Sequence, residues 1–142
     1  MQENLKFAIM NSKSIDKAIL AIVEKKKQLN QLDYNDSKYD KLEEELHDLE
    51  DKFMDEFGDE LEEVLQDVHD EHCPDNDVLL PIAYLANSYL KTSDGYDIEG
   101  DQGVFVEAES LPGNNTKMVI VPSPLRILLV NSKVKKEVWK AE

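Results

Sequence analysis

Three residues near the middle of the chain have the chemistry and spacing to share a transition metal. His69, His72 and Cys73 stand at i, i+3 and i+4. On a helix that spacing gathers two imidazoles and a thiol on one face, a donor set that suits zinc. The same residues also read as a polar helix C-terminus, where histidine suits the negative end of the dipole. His47 is about 33 Å further along a helix axis and cannot join them within one chain. Glu60 and Glu63 form an ExxE pair of the kind that holds Mg²⁺ on acidic helices. In a stretch with 17 acids among 37 residues such a pair arises by chance, and a solvated face is the simpler reading.

The remaining chemistry is sparse. Ser123 lies between Pro122 and Pro124, without the glycine pattern of a nucleophile elbow, and no histidine follows residue 72. There is no glycine-rich phosphate loop. Arg126, the one arginine, is a candidate anion or partner contact, or else a surface residue beside a strand. Nothing converges on a reaction, so catalytic residues and cofactors are not expected and a non-enzymatic role is favoured.

The metal and acid candidates all depend on one element. Tyr39, Leu42, Leu46, Leu49, Phe53, Phe57, Leu61, Val64 and Val68 recur at intervals averaging about 3.6 residues, the α-helical period. A strict heptad would average about 3.5 and supercoil, so bundle packing is expected instead. Met54 and Leu65 widen the stripe, which predicts contact with more than one neighbour. Of the net charge of −15, residues 36–72 carry −14, from 17 acids and 3 lysines. Nine same-sign pairs four residues apart oppose this helix by roughly 2 to 4 kcal/mol in all. Burial of the stripe must outweigh them, at about 1.5 to 3 kcal/mol per fully buried large side chain.

Residues 3–32 carry Leu5, Ile9, Ile15, Ile19, Ile22 and Leu29 at helical spacing and predict a continuous first helix through Asn11–Ser14. A polar link at 33–36 joins it to the second, with Ser37–Asp40 reading as a capping sequence. An antiparallel hairpin follows, in which paired residue numbers sum to about 69 or 70. That register sets Lys25, Lys26 and Lys27 level with Glu43, Glu44 and Glu45, Lys13 with Asp55 and Glu56, and Lys6 with Glu62 and Glu63. Cys73 and Pro74 end the second helix. Ile82, Leu85, Ala86, Tyr89 and Leu90 then predict a short helix over 79–91, with a short strand before Pro81 as the alternative.

After Ser93 four of the five glycines punctuate short apolar runs, a β signature. Strands are predicted at 103–109, 117–121, 126–130 and 134–140, with turns at 111–115 and 131–133. Trp139 is expected to pin the sheet to the helices. The fold class is therefore α+β: a long antiparallel helical hairpin (1–73) followed by a short helix and a small antiparallel β-meander (74–142), two parts that can share one domain. The widened stripe predicts a homodimer in which two hairpins form a four-helix bundle through Leu42, Leu46, Leu49, Phe53, Phe57 and Leu61.

No apolar run reaches membrane-spanning length, and Glu3 and Lys6 spoil any signal core, so a cytoplasmic protein is expected. The negative charge argues against binding nucleic acid or anionic membrane directly. It leaves a basic protein partner open, such as a nuclease met by an acidic inhibitor or immunity-type protein, with Glu56, Asp59, Glu60 and Glu63 as the contact face. An assembly module that homodimerises through its helices is the leading expectation. The basic-partner inhibitor and a metal-dependent enzyme using the helix carboxylates are its alternatives.

Overall fold

The computed structural model describes residues 2–100, 102–108, 111–112 and 115–141, with side chains from residue 12 onward. The expected side-chain positions of Leu5, Lys6 and Ile9 therefore lie outside the described residues. α1 (Gln2–Asn30) runs unbroken through 11–14, and α2 (Tyr39–His72) folds back along it. The predicted register is seen at one pair, where Lys25 Nζ meets Glu45 Oε1 at 3.1 Å and the numbers sum to 70; among the described residues no ion pair joins Lys13, Lys26 or Lys27 to its expected partners.

The capping sequence works differently from expectation. Lys38 is the N-cap residue and makes no side-chain cap bond. Instead the Asp36 carboxylate accepts the Lys38 N–H at 2.8 Å, and the Asp36 carbonyl accepts the Tyr39 N–H at 3.0 Å. The carboxylate thus holds the amide of the N-cap residue itself rather than an amide of the first turn.

Ile15, Ile19 and Ile22 of α1 and Phe53, Leu61 and Leu65 of α2 belong to one core cluster, all at 1% exposure or less. Six such side chains correspond to roughly 9 to 18 kcal/mol of burial. Against this the roughly 2 to 4 kcal/mol of acid–acid repulsion is minor. The second helix stands because its inner face is packed.

The rest of the chain is mostly strand: β1 (Leu90–Lys91), β2 (Tyr96–Asp97), β3 (Val104–Phe105), β4 (Lys117–Val121), β5 (Arg126–Val130) and β6 (Lys135–Lys140). β3 to β6 form an antiparallel meander in sequence order, while β1 and β2 make a separate small hairpin. β4 and β5 have the predicted limits. β3 is shorter than 103–109; Glu109, like Gly113 and Asn114 of the expected turn, lies outside the described residues.

Alternation in the two central strands explains their unbroken apolar sequences. Met118, Ile120, Ile127 and Leu129 join the helices' core, whereas Val119, Val121, Leu128 and Val130 face the other way and pack with Ala86 and Ile98. Both faces of the sheet are thus covered. Half-buried Trp139 packs against the helical core, which runs through hairpin and sheet alike.

The helix predicted at 79–91 is a single 3₁₀ turn, Pro81–Tyr84. Leu80 before the proline is extended at φ −64°, ψ 142°, as steric contact with the ring requires. Leu85 is extended too and bridges Ile120 of β4. Tyr89 Oη accepts the Ala86 N–H at 3.0 Å and donates to the Ile120 carbonyl at 2.7 Å. Covering the outer sheet face claims the residues whose spacing mimicked a helix.

Candidate functional site

The end of α2 is a closed polar network. His69 is 1% exposed, with Nδ1 3.1 Å from the Asn76 carbonyl and Nε2 2.9 Å from Tyr84 Oη. A carbonyl only accepts, so Nδ1 carries the proton. In the neutral ring Nε2 then accepts from the Tyr84 hydroxyl, whose oxygen accepts the Leu79 N–H at 2.9 Å. Every donor in that chain has an acceptor. Burial raises the Tyr84 hydroxyl's pKa, with the Leu79 N–H acting the other way and Cys73 adding a further rise, so it stays a donor.

This network answers where the predicted metal ligands stand. Both nitrogens of His69 are engaged. Cys73 is buried, and burial pushes its thiol up to about 11, which keeps it protonated at neutral pH. His72 Nε2 lies 3.9 Å from Glu71. Among the described residues no three His, Cys, Asp or Glu side chains are grouped to hold a metal ion. The imidazole of His69 instead ties the helix end to the 76–84 segment, a role its sequence neighbours do not signal, because Tyr84 is 15 residues away.

A second polar cluster surrounds Arg126, whose side chain is 12% exposed. Its Nη1 donates to the Pro124 carbonyl at 2.7 Å and the Pro122 carbonyl at 3.3 Å, and its Nη2 to the Tyr96 carbonyl at 2.7 Å. The one arginine therefore holds the β4–β5 loop against β2. Gly95 allows that approach, because a Cβ there would sit 1.8 Å from the Ser123 carbonyl oxygen. Ser123 has φ 53° within this loop.

Two carboxylates face the guanidinium and shift in opposite directions. For Asp97 desolvation acts upward, but the Lys135 hydrogen bond at 2.8 Å, the Ile98 N–H and the charges of Lys135 and Arg126 outweigh it, so the pKa falls. Asp16, on α1, is dominated by desolvation; a Ser123 backbone N–H and the Arg126 charge only partly offset it, and its pKa rises. Its Oδ1 is buried with no hydrogen-bond partner among the described residues. The sequence gives no hint of Asp16, because its burial is created by a loop more than a hundred residues later.

The third region is the outer side of α2. Asp48, Asp51, Asp55, Glu56, Asp59 and Glu63 are exposed and Glu60 is half-buried. Lys52 stands 3.8 Å from Glu56. Leu46, Phe53, Phe57 and Leu61 are buried on the opposite side, with Leu42 and Leu49 half-buried near the hairpin tip. Phe53, Phe57, Leu61, Val64 and Val68 of the stripe are buried in one core cluster with residues of α1, the 3₁₀ turn and the sheet.

Beside the acids, Leu79 and Leu80 are 45% and 55% exposed. Between them and α2 runs an open groove of 740 Å³ walled by Asp59, Glu62 and Glu63. The signal for it in the sequence is the Leu79-Leu80-Pro81 run, in which the proline holds the leucine before it extended. Among the described residues no helix is long and apolar enough to cross a membrane. Comparison with protein-family models, curated proteins and solved structures found no match.

Proposed function

We propose that this chain is a non-enzymatic binding module that takes a basic protein partner on the outer side of α2, around Glu56, Asp59, Glu60 and Glu63. One observation carries the reading: from Phe53 onward the inner side of α2 is covered by its own chain, while Glu56, Asp59 and Glu63 on the outer side stay exposed. Carboxylates placed at i and i+4 oppose the helix, so their concentration on one exposed side needs a reason outside folding. Complementary charge would speed encounter with a basic partner and select against acidic ones. An acidic inhibitor of a basic protein is the form this binding takes, and a cytoplasmic setting suits its single, buried, free cysteine.

The test is titration of a fluorescent oligolysine peptide into the full-length protein at low and physiological salt. Binding that weakens steeply with salt, and weakens about tenfold in a Glu56→Gln/Asp59→Asn/Glu63→Gln variant, is the expected result. Binding that ignores both salt and these substitutions removes the reading. Pairing of two copies through the hairpin tip is a second reading, favoured by the half-buried Leu42 and Leu49 and by Tyr34 at 81% exposure. Sedimentation velocity of a Tyr34→Ser/Leu42→Ser variant separates it: a dimer that this variant dissolves supports the tip contact, and a monomeric wild type ends it.

A further inference from the structure

The groove between α2 and residues 78–80 sharpens the partner's chemistry, and rests on the basic-partner reading above. We infer that it receives a short amphipathic segment whose apolar side chains are flanked by lysine or arginine, with Leu79 and Leu80 as the apolar contact and Asp59, Glu62 and Glu63 as the charged wall.

Three observations meet at this place. Leu79 and Leu80 are two of five large apolar side chains left exposed among the described residues, and they are consecutive. An isolated exposed leucine is ordinary, whereas an adjacent pair rimmed by charge marks a contact surface. Next, Asp59, Glu62 and Glu63 lie at helical spacing on the wall facing the pair, and among the described residues no ion pair engages them. An apolar strip with acids on one bank matches a segment that is apolar on one side and basic beside it.

Finally, the strip is held in place before any partner arrives. Val78 packs into the core, the Leu79 N–H is fixed by Tyr84 Oη, and Pro81 sets the backbone that follows. Pre-organisation of this kind reduces the ordering that binding must supply. The His69–Tyr84 network thus positions the leucines without touching the partner.

The experiment compares two peptides of equal charge on the full-length protein: an amphipathic helix-forming peptide of Leu and Lys, and oligolysine. Fluorescence anisotropy should show the Leu/Lys peptide binding at least about tenfold more tightly than oligolysine. Leu79→Ser/Leu80→Ser should abolish that preference while leaving oligolysine binding unchanged. Leu90→Ser, which removes an exposed leucine elsewhere, should leave the preference intact. Because both leucines are exposed, the double variant is expected to fold, and its far-ultraviolet circular dichroism checks this.

No preference for the Leu/Lys peptide in the wild type, or a preference that survives in the double variant, overturns the groove while leaving the acidic-face reading standing if oligolysine still binds. Failure of both peptides to bind overturns the two together. A wild-type dimer that the Leu79→Ser/Leu80→Ser variant converts to monomer would assign the groove to a second copy of this chain, and would equally overturn the inference.

Discussion

Along α2 the side turned to the chain holds Phe53, Leu61 and Leu65 almost without solvent contact, while the side turned outward carries Asp51, Asp55, Asp59 and Glu63 in water. The inner side contributes several times what the outer side costs. Such an imbalance lets a helix carry a sequence that would not be helical alone. It also separates the work of the two sides: one decides whether the protein folds, and the other is free to be selected for binding.

Breaking the inner side should have the largest effect. Phe53→Ala removes a fully buried ring and should cost about 3 to 5 kcal/mol in urea unfolding. A loss below about 1 kcal/mol would mean that this side is not packed as described.

Next in size is the network at the helix end. Tyr84→Phe strips the hydroxyl from both His69 Nε2 and the Leu79 N–H and should cost roughly 1 to 3 kcal/mol. It should also speed hydrogen exchange at the Leu79 amide, whereas a tyrosine that acts only through ring packing would leave that amide unchanged.

Substitutions on the outer side should work in the opposite direction. Asp55→Asn with Asp59→Asn removes the same-sign pairs Asp51/Asp55, Asp55/Asp59 and Asp59/Glu63, and should stabilise the fold by about 0.6 to 1.5 kcal/mol at low salt. The gain should shrink as salt rises. Destabilisation would show that these acids make contacts the comparison of the two sides omits.

Asp16 gives the smallest predicted effect and tests how burial, rather than charge count, governs an acid. Its folded pKa is raised, so the native state holds its proton at pH values where the unfolded chain has released it. Stability from this group is therefore lost as pH rises from the ordinary carboxylate pKa through the raised value. Asp16→Asn should raise the melting temperature at neutral pH, and the advantage should fade in acid below the ordinary carboxylate pKa. Asp97, whose pKa is lowered, carries the opposite dependence: its contribution is present above the ordinary pKa and is lost as pH falls through the lowered one.

Local pattern made the helices, their register and the central strands legible. Lys25 meets Glu45 because a short link leaves a hairpin little freedom, and β4 and β5 start and stop where their apolar runs do. What escaped was created by distance. Ala86, Tyr89 and Ile98 are drawn onto the outer sheet face, which overrides the helical spacing of 79–91. The readings of His69 as a metal ligand or a polar helix end do not contain its bond to Tyr84, 15 residues away, and those of Arg126 as an anion or partner contact or a surface residue do not contain its bond to the Tyr96 carbonyl. The acidic face was visible from composition, but the leucines beside it gain meaning only once α2 lies alongside them.

The most direct test of the account is to measure stability and oligolysine affinity together on the Glu56→Gln/Asp59→Asn/Glu63→Gln variant. If the outer side of α2 is kept for a partner, the variant melts higher and binds about tenfold more weakly. A variant that melts higher and binds as well as the wild type would contradict it.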